Sequence, residues 1–308
     1  MSKILDDTTT WSDEQGTLYH HLMHLPEQVW KAGYEPDVKG HLPEAAGVLL
    51  VGRGVGMTAA QLAMAFLPVR AAVQTAVEPP QALPGDWLTV QLLEPGQAHG
   101  ENVKAFVAPR GTLLPEGAPC ALYDETLARP ACLGAMFFSL AALLEHAGLL
   151  QGAQELARPV VGMLMQKAGA VAVGLETELN MAKGMALRMQ GRTPVFVPLL
   201  PALEPAACWA RAQANRLAGQ PAAHLGCGDA WDADVLAAWC TPPWQPVLLS
   251  HMDANGMPAR HNGLPELLKD APVLYAEGKT QLERFFSLVY PLAMVAFYSY
   301  ILQTEKKL

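Results

Sequence analysis

Ala46-Gly-Val-Leu-Leu-Val-Gly-Arg-Gly-Val-Gly-Met-Thr-Ala-Ala-Gln-Leu-Ala63 is the stretch that decides the fold class. Positions 48–51 form an apolar run of strand length, Gly52, Gly54 and Gly56 make a turn, and 57–66 has helical spacing. A buried strand feeding a glycine turn and then a helix is the opening step of a parallel α/β sheet. The missing Cβ atoms let an anion approach the backbone, and the amides that open the helix, near Met57 and Thr58, point at it. The same glycines also suit a tight connection that binds nothing.

Downstream, the alternation continues with strands expected at 71–77, 87–93, 105–108 and 120–123 and a helix at 133–146. Connecting helices over 154–165 and 175–187 follow. The pattern then restarts, with strands at 195–197, 224–225, 247–250 and 273–276, helices at 206–218 and 280–303, and a helical turn at 264–267. Upstream, Leu18, Leu22, Leu25 and Val29 mark one helix over 18–32. Residues 1–16 are polar and acidic, without the basic start or apolar stretch of a signal peptide, and read as a loose arm. Two domains are expected, 1–152 and 153–308.

The composition is 51% hydrophobic and 16% charged, below the roughly 25% charged of an ordinary soluble domain. Such a chain is expected to bury surface between subunits. A net charge of -8 with no run of lysine or arginine leaves no footprint for nucleic acid. The five cysteines are odd in number and lack any C-x-x-C pair, which fits a reducing cytoplasm. Positions 285–302 carry no charge over 18 residues, the length of a membrane span. Serines, tyrosines and Pro291 dilute that segment, and Glu283-Arg284 and Glu305-Lys306-Lys307 bracket it. A helix in a domain or dimer core is the better account, and no membrane partner is expected.

Several segments, in order, resemble the bifunctional phosphoglucose/phosphomannose isomerase family of sugar isomerase (SIS) proteins. They are Leu25-Pro-Glu-Gln-Val29, Val51-Gly-Arg-Gly-Val-Gly56, Arg129-Pro-Ala-Cys-Leu-Gly134 and Trp209-Ala-Arg-Ala-Gln-Ala-Asn215. The most specific is Gly278-Lys-Thr-Gln-Leu-Glu-Arg-Phe-Phe-Ser-Leu-Val-Tyr290, similar to the family's closing helix. The resemblance implies an α/β protein of two SIS domains, each a five-stranded parallel sheet flanked by helices in Rossmann-like three-layer form. It also implies a homodimer that interconverts glucose 6-phosphate or mannose 6-phosphate with fructose 6-phosphate, with no cofactor and no metal.

Aldose–ketose isomerisation needs an anion cradle, a base at C1 and C2, a cation for the enediolate and a group that opens the ring. The resemblance places phosphate binding on Gly52, Arg53, Gly54, Gly56, Met57, Thr58 and Gly96. It places catalysis on Arg129, Arg216, His224 and Cys227. These positions depart from the family pattern. The first loop has Val55-Gly56-Met57 where the family has glycine-serine-glycine. The second has Leu93-Glu-Pro-Gly-Gln-Ala98 where the family supplies several hydroxyls, and Glu94 brings a carboxylate to the phosphate position, which repels it. The family's Pro-Arg is inverted as Arg129-Pro130. The family's glutamate base falls on Arg216, and a guanidinium cannot take a proton from carbon. The ring-opening histidine aligns with Cys227, or with His224 across a small gap. Glu176, Glu178 and Glu204 are carboxylates that only folding could bring near.

Arg53 is either a fork for a phosphate or carboxylate or an ordinary surface arginine. His20, His21 and His24 make H-H-x-x-H, in which a structural or solvated role outweighs a metal site because no H-E-x-x-H follows. His251-Met-Asp253 and Arg260-His261 follow a strand, at a sheet's carboxyl end where ligands sit. Cys227 lies between glycines and reads as an inert thiol. Three functions remain: a sugar-phosphate isomerase, a non-catalytic sugar-phosphate-binding or dimeric interaction protein, and a dinucleotide-binding oxidoreductase. The last rests on Glu78, placed as a ribose-binding acid, yet Met57 stands where the G-x-G-x-x-G fingerprint needs its final glycine.

Overall fold

The structure is a computed structural model that describes residues 3–80, 85–229, 232–239, 243–253, 255–259 and 265–305. The chain forms two compact units, Met1–Met23 with Met163–Leu308, and His24–Gly162. Helices α1 (Lys3–Asp6) and α2 (Asp13–Met23) lead into α3 (Leu25–Tyr34) and strand β1 (Asp37–Lys39). Then come β2 (Gly47–Gly52), α4 (Val55–Phe66), β3 (Ala72–Ala76), β4 (Trp87–Leu92), β5 (Ala105–Pro109), β6 (Cys120–Tyr123), α5 (Leu133–His146) and α6 (Ala153–Val171). The remainder is α7 (Met181–Arg188), β7 (Thr193–Pro198), α8 (Glu204–Arg216), β8 (Ala223–His224), α9 (Ala233–Trp239), β9 (Trp244–His251), β10 (Val273–Ala276) and α10 (Gln281–Glu305).

In the unit His24–Gly162 the sheet order is β1-β6-β5-β4-β2-β3. Strands β2 to β6 run parallel, and β1 joins antiparallel on β6. Every residue of β2 is buried, as its unbroken apolar run requires of a strand covered on both faces, whereas edge strand β3 is only partly covered. Helix α5 buries each residue from Leu133 to Leu144 and packs against α3 and α4. Since β3 lies on one side of β2 and β4 on the other, the strand order reverses there. The carboxyl ends of β2 and β4 therefore frame a crevice, the place where ligands bind in open α/β sheets.

The other unit holds the all-parallel sheet β10-β9-β7-β8, in which β7 and β9 frame the corresponding crevice. Helix α10 packs against α7 and α8. Its apolar stretch has the length and composition of a membrane span, but 94% of that window is buried within the fold. Against the five parallel strands implied for each domain, the first sheet has a sixth, antiparallel edge strand, and the second has four strands among the described residues.

The structure revises two expectations near the N-terminus. The helix expected over 18–32 is interrupted at His24: α2 ends at Met23, and α3 begins at Leu25 with Pro26 in its first turn, where the missing N–H costs nothing. Residues 3–16 are not a loose arm. Leu5 is buried, and Trp11 sits edge-on to Phe297 with ring centroids 5.2 Å apart. Ser12 and Gln15 form a capping box, with the Ser12 amide donating to Gln15 Oε1 at 2.8 Å and the Gln15 amide donating to Ser12 Oγ at 3.3 Å. These contacts place residues 3–23 with the C-terminal unit, whereas the sequence reading grouped them with 24–152.

Candidate functional site

The crevice between β2 and β4 is built as the glycine loop predicts, but its occupant belongs to the chain itself. Gly54 has φ 57° and ψ -121°, a conformation that favours glycine. A Cβ on Gly52 would lie 2.5 Å from the Gly56 carbonyl carbon, and one on Gly56 would lie 2.7 Å from the Leu92 carbonyl oxygen. These glycines let α4 start hard against β2 and β4. The amides of Met57 and Thr58, expected to face an anion, instead make helical bonds to Arg53 O and Gly54 O at 3.3 and 3.2 Å. It is the Val55 N–H that points into the crevice, and it donates to Glu94 Oε1.

Glu94 is only 4% exposed. Its backbone amide donates to Gln97 Oε1 at 3.1 Å, and the Gln97 amide donates to Glu94 O at 3.0 Å, which fixes the turn that carries it. A carboxylate at the N-terminus of α4 meets the positive end of the helix dipole, as a bound phosphate would. Sequence reading placed Glu94 beside the phosphate position as a source of repulsion. In the fold its carboxylate lies on the Val55 amide at the start of α4.

The buried carboxylate also marks its neighbours. Burial, reinforced by the Glu94 charge, pushes the Cys132 thiol up to about 12. Tyr123, whose hydroxyl donates to Leu93 O at 2.6 Å, is likewise held well above the ordinary phenol range, first by burial. Arg53 pairs with Glu78, both side chains largely exposed, so neither a free anion fork nor an unengaged ribose acid is present there. Arg129 does reach the second loop: its Nε donates to Pro95 O at 3.2 Å, and its Nη2 is 3.6 Å from where a Gly96 Cβ would stand.

In the C-terminal unit a second cluster forms where β8 ends beside α8. Glu204, Cys208 and Arg211 recur at helical spacing on α8. His224 Nε2 lies 3.3 Å from Cys208 Sγ, and the Cys227 amide donates to Glu204 Oε1 at 2.9 Å. The fold thus brings Glu204 to the Cys227 loop, as only tertiary structure could. Cys208 was missed because nothing in its neighbourhood distinguishes it from a small core residue. Arg216 sits exposed in the last turn of α8. Burial raises the Cys208 and Cys227 thiols, and it lowers His224, helped by Arg211 and opposed by Glu204. The pair is therefore a neutral thiol facing a neutral imidazole.

A lowered folded pKa for His224 means that protonation favours the unfolded chain. The stability present above the ordinary value of 6.5 is lost as pH falls below it toward the depressed value. His251, lowered first by burial and then by Arg284, acts in the same direction. The denaturation midpoint is expected to fall from about pH 7 to about pH 5, with a shallower slope in His224→Gln. An unchanged slope in that variant would remove His224 as a contributor.

Two of the remaining candidates, Asp253 and His24, have structural partners, whereas His251 Nδ1 is buried without a hydrogen bond among the described residues. Asp253 Oδ1 accepts from the amides of Asn255 and Met257 at 2.8 and 2.9 Å, closing a turn after β9. His24 Nδ1 is 2.8 Å from Glu27. Among the described residues no three His, Cys, Asp or Glu side chains are grouped to hold a metal. Arg260 and His261 lie outside the described residues.

Residues 178–303 match the family described as the bacterial phospho-glucose isomerase C-terminal SIS domain. That segment, about two fifths of the chain, is an SIS domain of the bacterial phospho-glucose isomerase type. Among solved structures, the chain is similar to a glucose-6-phosphate isomerase like protein from Thermus thermophilus, at 16% identity and TM-score 0.54 over 97% of this chain and 93% of that one. It is also similar to tagatose-6-phosphate ketose/aldose isomerase from Escherichia coli, at 10% identity and TM-score 0.59 over 97% and 96%. A third is the C-terminal domain of glucosamine-fructose-6-phosphate aminotransferase from Francisella tularensis, at 11% identity and TM-score 0.61 over 97% and 98%. At these identities the likeness is one of fold. No curated protein matches the sequence. The match agrees with the resemblance read from 278–290, which falls inside the matched segment and runs into the start of α10.

Proposed function

We propose that this SIS protein binds a hexose phosphate, of the glucose 6-phosphate or mannose 6-phosphate type, without interconverting it with fructose 6-phosphate. The family match and the sugar-phosphate names of the three structural neighbours support the ligand class. The observation that carries the loss of chemistry is the Glu94 carboxylate on the Val55 amide. With that carboxylate in place, a phosphate dianion in the family position meets a buried like charge instead of the hydroxyls it would need. The base position agrees, since Arg216 is a permanent cation and cannot accept the C2 proton. A cytoplasmic homodimer remains part of this reading.

A second reading, an active isomerase with a relocated site, is favoured by the cluster at the end of β8. There Glu204 would serve as base and His224 as the ring-opening group, and its lowered pKa keeps the imidazole neutral near pH 7. Proton exchange at C2 of glucose 6-phosphate and mannose 6-phosphate in deuterated buffer, followed by NMR, separates the two. Binding without exchange above the buffer blank is the expected result. Exchange that heat denaturation abolishes, and that Glu204→Gln removes, would establish the isomerase instead.

A further inference from the structure

The loop that carries Glu94 into the crevice also shapes an open groove of about 530 Å³ on the same sheet edge. It lies at the carboxyl ends of β4, β5 and β6, between the loop 95–99 and the turn 109–113, so it is offset from the β2/β4 crevice. Its volume falls within the range of small-molecule sites. We propose that this groove, and not the glycine cradle, holds the hexose phosphate, with Arg110 as the phosphate anchor. The proposal rests on the sugar-phosphate reading above and assigns the ligand a place that Glu94 leaves open.

The lining supplies what a phosphorylated polyol needs. Arg110 Nε donates to Asp37 Oδ2 at 3.2 Å, which orients the guanidinium, and its Nη pair, which makes no hydrogen bond among the described residues, is placed for a phosphate. Gln97 Oε1 is engaged by the Glu94 amide, so its NH₂ group remains as a donor. His99 Nδ1 lies 3.2 Å from Gly100 O, which leaves Nε2 to meet a sugar hydroxyl. The same ring sits edge-on to Phe106 at 5.8 Å, which holds its orientation. Glu125 adds carboxylate acceptors, suited to hydroxyls and repelling phosphate, so the ligand's orientation is set with its anion on Arg110. Leu113, 89% exposed, offers an apolar surface to the C–H face of a pyranose.

Glu94 and the groove are linked through the backbone. Gly96, at φ +79°, turns the loop immediately after Glu94, and the Arg129 guanidinium braces that turn through Pro95 O. Glu94 pointing inward and the 95–99 segment forming the groove wall are thus one loop conformation.

The test is a titration of the ¹⁵N-labelled full-length protein with glucose 6-phosphate, glucose and inorganic phosphate, followed by amide shifts. Shifts centred on Gly96, His99, Gly111 and Leu113, strongest for glucose 6-phosphate and weakened about tenfold in affinity by Arg110→Ala, are expected. Arg110→Lys should recover part of the affinity, which a merely structural role for the Asp37 pair would not require. Shifts confined to 53–58, or to the His224 region, would overturn the groove while leaving the sugar-phosphate reading standing. No saturable shift anywhere with glucose 6-phosphate would overturn both.

Discussion

Replacing Lys183 by alanine is expected to destabilise the protein by about 3–5 kcal/mol, the largest stability effect we foresee. Lys183 lies on α7 and is fully buried, its helix capped by Asn180, whose Oδ1 accepts from the amides of Ala182 and Lys183. Its ammonium donates to Val173 O and Leu175 O, both at 2.7 Å, and to the carboxylate of Asp6 on α1. The ring of Tyr298 lies 5.7 Å away. An ammonium has three donors, and here each has an oxygen. Alanine removes all of them, leaves two carbonyls unpaired at a cost of roughly 1–3 kcal/mol each, and opens a cavity beside α10. Lys183→Met restores volume without the bonds and should recover only the packing part. Urea denaturation of the three proteins decides the matter. A loss under about 1 kcal/mol for the alanine variant would mean that water takes over the carbonyls. Because Asp6 ties α1 to this site, faster proteolysis within residues 3–12 should accompany the loss.

Glu94→Ser is expected to have the largest effect on binding. The substitution removes the buried carboxylate and supplies a hydroxyl of the kind that the loop lacks. Phosphate and glucose 6-phosphate should then enter the crevice and bind there at least tenfold more tightly than in the parent protein, about 1.4 kcal/mol. Coulomb repulsion between a carboxylate and a dianion at contact distance exceeds that figure at any reasonable protein dielectric, so the estimate is a floor. The cost is the charge-assisted bond to the Val55 amide, worth about 1 kcal/mol as helix caps go. The readouts are calorimetry with both ligands and the amide shifts of 53–58, with the thermal midpoint as a check of folding. If the variant folds and shows no gain with either ligand, Glu94 is not what keeps anions from the cradle.

Much of the architecture is legible from short-range pattern. Strands 120–123 and 273–276 and helix 133–146 have the bounds that their apolar runs and flanking turns predict. The capping box Ser12-Asp-Glu-Gln15 is also written in the chain and announces a helix start within the supposed arm. What it does not announce is the docking of that segment, which depends on Trp11 and Tyr19 meeting Phe297 on a helix near the other end of the chain. Antiparallel β1, only three residues long, carries too little periodicity to be read. Of the candidate site, the glycine turn at the start of α4 is legible from residue type, whereas the contact of Arg129 with the loop after β4 belongs to the fold. The pairing of Cys208 with His224 was not found, because α8 and β8 are joined through a loop whose path no local rule sets.

The sequence alone determined the alternating α/β pattern and the glycine-lined start to α4, because burial periodicity and turn chemistry are local properties. Tertiary structure alone decided that a carboxylate of the chain meets the start of α4. Val55 and Glu94 are 39 residues apart, and they meet because β4 pairs with β2 in register, with Val51 opposite Gln91. That register carries the segment after β4 across to the start of α4, where a carboxylate taken out of water needs a donor and an unpaired helix amide supplies one.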